Sequence, residues 1–151
     1  MRQFKYLSTK TYGHEEGLSC MFRQPLASHS HCSLLHGYAL SFSFKFGCDH
    51  LDDKNWVVDF GDLKEIMMEE LDAKFDHNSV FYENDINRSL LEQISETQPK
   101  KVFFVPFIPT AENLAKYWYE LVEPRLKERG IKIKHLKVWE TPTSTAIYQV
   151  N

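Results

Sequence analysis

From His36 to Phe46 the chain alternates without a break. His36, Tyr38, Leu40, Phe42, Phe44 and Phe46 are separated by Gly37, Ala39, Ser41, Ser43 and Lys45. Successive side chains of a strand point to opposite faces, so this run predicts a long half-buried strand over 36–47 with its aromatic face on the core. A cysteine, Cys32, stands just ahead of it, four residues before His36. A reactive side chain at the entrance to a rigid strand is well placed for chemistry.

A chain of 151 residues is expected to form one domain, 1–151, around a single core. Its 42% apolar and 14% aromatic content supplies that core and excludes disorder. A net charge of −3 with no Lys/Arg cluster argues against nucleic acid or an anionic membrane as partner. The chain shows no charged-then-apolar leader and no apolar run of spanning length, so neither secretion nor insertion is expected. Three cysteines without a CxxC pair do not make a disulfide framework, and a reducing cytoplasm fits best.

Around the long strand the organisation is legible. Leu18, Cys20 and Phe22 alternate with Ser19, Met21 and Arg23, predicting a short strand stopped by Pro25. Asp59 can cap a helix carrying Phe60, Leu63, Met67, Leu71 and Phe75 at three- and four-residue spacing and ending near Lys74. Thr110 should cap a second helix with the stripe Leu114, Ala115, Trp118, Leu121, Val122 and Leu126, stopped by Gly130. Strands over 131–139 and 146–150 close the chain. Residues 83–109 give mixed signals: an amphipathic piece, then Val102-Phe103-Phe104-Val105 among prolines. Strand pairs joined by short turns imply an antiparallel sheet with helices on one face, an α+β fold.

Several residues could carry chemistry. Cys32 lies in a loop with His29, His31 and His36 nearby, and a neighbouring imidazolium would lower its pKa. Asp76-His77 could form a carboxylate–imidazole relay, although adjacent residues on an extended chain point apart. Three imidazoles with an open fourth position can hold zinc, but this spacing lacks the specificity of a zinc finger, and loop histidines are more often solvated. Glu140, at a strand end, could accept two N–H bonds from a guanidine-like edge such as a pterin presents. Glu112 is most simply a residue complementing the helix dipole.

Taken in order, these segments resemble the 6-pyruvoyl-tetrahydropterin synthase / 6-carboxy-tetrahydropterin synthase family over nearly the whole chain. Leu18 to Gln24 is similar to Phe-Ser-Ala-Ser-His-Arg-Leu, and Cys32 to Tyr38 to Cys-x-x-x-His-Gly-His. Asp59 to Lys64 resembles Asp-Phe-x-x-Leu-Lys, and Phe75-Asp76-His77 resembles Leu-Asp-His. Pro109 to Asn113 matches Pro-Thr-x-Glu-Asn, and Glu140-Thr141 matches the Glu-Thr before the last strand. The resemblance implies a tunnelling fold: a four-stranded antiparallel sheet with two helices on one face, subunits joining their sheets into a barrel. Hexamers with active sites between subunits are usual.

It further implies a lyase acting on the side chain of 7,8-dihydroneopterin triphosphate, the 6-carboxy branch (7-deazaguanine, queuosine-type synthesis) being favoured. Cys32 would abstract the proton, Asp76 and His77 relay it, and Glu140, with Thr110 and Glu112, bind the substrate. The family holds zinc through three histidines, but here Phe22 and Tyr38 align with two of them and only His36 is left. Either the metal is lost, giving a pterin- or purine-binding protein without lyase activity, or the site is rebuilt. In the second case His31, His29 and His14 are the available replacements beside His36.

Overall fold

Strand β3 (His36–Cys48) is the axis of the sheet, with neighbours along both edges. The structure, a computed structural model, describes residues 3–16, 18–97 and 102–150. On one edge, β1 (Tyr6–Tyr12) pairs antiparallel with the second half of β3 and β2 (Leu18–Phe22) with the first half. They behave as one interrupted strand. On the other edge lies β6 (Lys132–Thr141), paired in turn with β7 (Ser144–Gln149). This is the four-stranded antiparallel sheet expected from the sequence.

Phe42, Phe44 and Phe46, each at most 2% exposed, carry the core face of β3. Ser41 and Ser43 on the opposite face are covered too, and Ser43 Oγ accepts a hydrogen bond from Thr11 Oγ1 at 3.0 Å.

The helices cover the aromatic face. Helix α1 (Phe60–Met67) starts where Asp59 Oδ1 accepts from the Gly61 N–H at 2.8 Å. It continues through a π-helical stretch, Met68–Asp72, into the last turn α2 (Ala73–Phe75). Leu63, Met67, Leu71 and Phe75 are buried as the spacing requires, but Phe60 faces solvent and Ile66 joins the core in its place. At the very first helical position a side chain lies at the rim of the packed face, so its spacing alone did not fix its burial.

Three further elements lie in and just before the segment that gave mixed signals. Strand β4 (Asn78–Tyr82), α3 (Arg88–Glu96) and β5 (Val102–Val105) form a β-α-β unit. Here β4 pairs parallel with β2, and β5 parallel with β4. Strands of parallel pairs often read as continuous apolar runs, and Val102 to Val105 shows no alternation.

Helix α4 (Ala111–Lys127) then crosses the sheet, with Thr110 Oγ1 accepting from the Asn113 N–H at 3.2 Å. Its Trp118 meets both Phe42 and Phe75, each pair with ring centroids 5.5 Å apart. Gly130 ends the helix at φ 73°, and the Ile131 N–H reaches back to the Leu126 carbonyl at 3.0 Å. Arg125 ties α4 to the π-helical stretch by forking onto Glu69 and Glu70, both at 2.9 Å. Among the described residues no helix is long and apolar enough to cross a membrane.

Candidate active site

The register of β2 on β3 places Phe22 opposite His36 and Cys20 opposite Tyr38. The strands approach closely there: a Cβ at Gly37 would collide with the Cys20 carbonyl oxygen, so only glycine fits. Phe22, His36 and Tyr38 consequently meet as a trio of rings. Phe22 lies 5.0 Å from His36 and 6.1 Å from Tyr38, and His36 lies 5.6 Å from Tyr38. Phe22 is fully buried, whereas the other two rings are half-exposed.

His36 Nδ1 sits 2.7 Å from the Leu34 carbonyl oxygen. A carbonyl only accepts, so the hydrogen is on Nδ1. Its Nε2 is enclosed and has no partner among the described residues.

Glu140 belongs to the same end of the sheet. It stands one residue beyond the Ser41–Trp139 pair, where the pairing of β6 with β7 is irregular. Its carboxyl is pushed above the ordinary carboxylate value, first by burial and then by the negative charge of Glu112, while His36 acts in the opposite sense. Glu140, Glu112 and His36 are therefore within electrostatic reach of one another. Glu112 is exposed in the first turn of α4, and the Thr110 hydroxyl is engaged in capping that helix.

Asp76 and His77 form the couple that their adjacency made doubtful. His77 takes a left-handed backbone conformation, φ 56°, which bends its side chain round to meet its neighbour. Its Nδ1 lies 2.7 Å from Asp76 Oδ2. Both residues are fastened to the start of β2: the Ser19 N–H donates to Asp76 Oδ1 at 3.0 Å, and the His77 N–H donates to the Ser19 carbonyl at 2.7 Å. Asp76 is three-quarters covered, while the imidazole is 69% exposed. The ring borders a cleft of about 420 Å³, whose lining includes Ser19, Met21, Gly37, Ala39 and Ser79. Those are odd-numbered residues of β2, β3 and β4. Cys20, Tyr38 and Asn78 line it as well.

Cys32 is half-buried and unbridged in a short helical turn, His31–Ser33, where the Ser30 hydroxyl accepts from the Cys32 N–H at 3.2 Å. The Cys32 carbonyl accepts from the Gln24 N–H at 2.7 Å. Gln24 is five residues along from Ser19, where the couple is fastened. At strand rise that is roughly 15 Å within one chain. Cys20 is a packing residue: its thiol donates to the Phe75 carbonyl at 3.1 Å and is pushed up to about 12, first by burial and then by Asp76.

The histidines proposed for a rebuilt metal centre do not assemble. His29 and His31 are exposed on the β2–β3 loop, while His36 turns inward against Phe22. Among the described residues no group of three or more His, Cys, Asp or Glu is arranged to hold a metal ion. His36, His31 and His29, one of the two alternatives for a metal centre, form no such group among the described residues. His14 is engaged elsewhere, its Nδ1 donating to the Ala39 carbonyl.

One feature of the site could not be read from the sequence. Arg23 Nε pairs with Asp85 Oδ2 at 3.4 Å, with side chains 14% and 0% exposed, and pins the start of the Cys32 loop to the turn after β4. Asp85 Oδ1 also accepts from the Asn87 N–H at 2.8 Å. Removing one partner of a buried pair leaves the other charge uncompensated. Asp85→Ala is expected to cost about 3 kcal/mol in chemical denaturation. A cost under about 1 kcal/mol would mean that the pair is surface-like.

Residues 11–151 match the family model described as 6-pyruvoyl tetrahydropterin synthase. A relative from Aquifex aeolicus named 6-carboxy-5,6,7,8-tetrahydropterin synthase is 34% identical over 123 residues, 78% of this chain and 75% of that protein. A relative of the same name from Haemophilus influenzae is 30% identical, covering 78% of this chain and 84% of its own. Among solved structures, an uncharacterised Wolinella succinogenes protein superposes with TM-score 0.77 at 20% identity, covering 97% of this chain and 98% of its own. The Caenorhabditis elegans 6-pyruvoyl tetrahydropterin synthase superposes with TM-score 0.66 at 18% identity over the full length of both. The family model matches nearly the whole chain and the relatives match most of it, and this chain belongs to the 6-pyruvoyl tetrahydropterin synthase family.

Proposed function

We propose that this chain, folded as one domain over 1–151, is a lyase acting on the side chain of a pterin. Its substrate is 7,8-dihydroneopterin triphosphate, and the 6-carboxy branch of the family, feeding 7-deazaguanine synthesis in the cytoplasm, is the favoured one. The names of its relatives support that branch. The observation that carries the reading is the Asp76–His77 couple, held in a strained conformation by two hydrogen bonds to Ser19. Strain of this kind persists where the surroundings over-determine it, and it clusters at active sites.

Each residue has a distinct part. Glu140 accepts N–H bonds from the guanidine-like edge of the pterin, with Glu112 and the turn at Thr110 beside it. The Cys32 thiolate takes a proton from a side-chain carbon of the substrate. His77, oriented by Asp76, takes or returns a proton on a side-chain oxygen.

In one chain Cys32 is about 15 Å along the strand from the couple. The site is therefore completed between subunits, with one supplying Glu140 and Cys32 and its neighbour supplying Asp76 and His77. We infer a hexameric or other closed ring, the assembly that the resemblance implies.

Incubating the purified oligomer with 7,8-dihydroneopterin triphosphate and analysing the products by mass spectrometry tests the reading. A pterin with a shortened or dehydrated side chain is expected. Unchanged substrate from a folded oligomer would reject the lyase. Binding without turnover would favour the second reading, a pterin- or purine-binding protein, which the aromatic rings at Phe22 and Tyr38 motivate.

A further inference from the structure

We infer that this chain holds its ligand without a metal ion, and that Phe22, His36 and Tyr38 replace the family's metal centre with an aromatic wall. Zinc requires three or four N, O or S donors at about 2.0–2.3 Å. The trio offers one imidazole nitrogen, His36 Nε2, and a phenol; Phe22 has no donor at all. The rings also occupy the space between the strands. Phe22 is fully buried and meets His36 edge to face at 64°, and Tyr38 meets His36 at 83°. Such edge-to-face packing is how aromatic rings attract one another.

No other cluster substitutes for it. His29 and His31 are exposed and apart from His36, and no metal-binding group of three occurs among the described residues. What remains facing a ligand is the half-exposed Tyr38 and His36 rings beside the Glu140 carboxylate. That surface suits a flat hydrogen-bonding heterocycle: stacking and edge contacts come from the rings, and N–H acceptance from the acid.

This inference deepens the proposed function at the same site and rests on Glu140 binding the ring there. Its test reads metal and pterin separately. Protein expressed with added zinc and dialysed into metal-free buffer is expected to carry well under one zinc per chain by elemental analysis. The variant Phe22→His/Tyr38→His, which restores three imidazoles, should take up about one equivalent. Its folding is checked by circular dichroism; if it fails to fold, cobalt(II) titration of the unmodified protein serves instead, and absence of tetrahedral cobalt bands supports the inference. Neopterin binding followed by fluorescence should have the same Kd with and without EDTA. About one tightly held zinc per wild-type chain, lost in His36→Ala, would overturn the inference, as would neopterin binding abolished by EDTA. Absence of neopterin binding under both conditions, with no zinc found, would instead sink the pterin reading and leave the metal result standing.

Discussion

Cys32→Ala is expected to leave the chain folded and assembled while lowering turnover by at least about a thousandfold. The residue lies half-buried in a loop turn and belongs to no part of the apolar core, so its truncation does not reach the packing. His77→Gln should do comparable damage, since the exposed ring is supported by Asp76 and contributes nothing to the interior. The informative experiment combines them. Each variant alone is dead, but the two mixed as unfolded chains and refolded together should recover activity. A site drawing Cys32 from one subunit and His77 from its neighbour is intact wherever a His77→Gln chain supplies the thiol and a Cys32→Ala chain supplies the imidazole. With random assembly at equal amounts that is about a quarter of all sites. If thiol and imidazole instead came from the same chain, mixing would restore nothing, and the separation along β2 would have to close by rearrangement. Near-normal activity in Cys32→Ala alone would remove that residue from the chemistry.

How much of this was legible in the sequence depended on whether the signal was local. The alternation of β3 and the capped, striped helix α4 are carried by neighbouring residues, and both elements match their predicted spans. β4 and β5 were obscure because these parallel-paired strands lack the period of two on which strand reading relies. The Asp76–His77 couple was undervalued because the sequence does not declare a positive φ at a histidine; the conformation is imposed by hydrogen bonds to Ser19, fifty-odd residues away. Arg23 with Asp85 is likewise a long-range pair with no spacing to betray it. The histidine-rich loop misled in the opposite direction. Proximity in sequence suggested a donor set, but the chain turns His36 inward onto β3 and leaves His29 and His31 on the outside.

Glu140→Gln should weaken pterin binding on the order of a hundredfold while making the ligand-free protein more stable, an opposite pair of effects that a purely structural residue would not give. The binding loss follows from charge: a carboxylate accepting two N–H bonds is worth about 3 kcal/mol more than an amide, whose NH₂ end faces the ligand's donors. The stability gain follows from the raised carboxyl. Partial burial and the nearby Glu112 charge disfavour ionised Glu140 in the folded state. A carboxyl whose folded value lies above its unfolded one favours folding fully only at pH below the unfolded value, about 4.3 for glutamate. That contribution is lost as pH rises through the folded value. The wild type should therefore lose stability from this residue between mild acid and neutrality, and the amide should not. Thermal unfolding of both proteins at pH 4 and pH 7.5 checks the sign: their midpoints should converge in acid, with the variant higher at neutral pH. Glu112→Gln relieves the same repulsion, so it should reproduce part of the stabilisation. If Glu140→Gln bound neopterin as tightly as the wild type, the anchoring role would fall, and with it the assignment of this end of the sheet to the ligand. Since a role limited to packing predicts unchanged binding and a lower midpoint, the two measurements together separate the cases without any need to observe turnover.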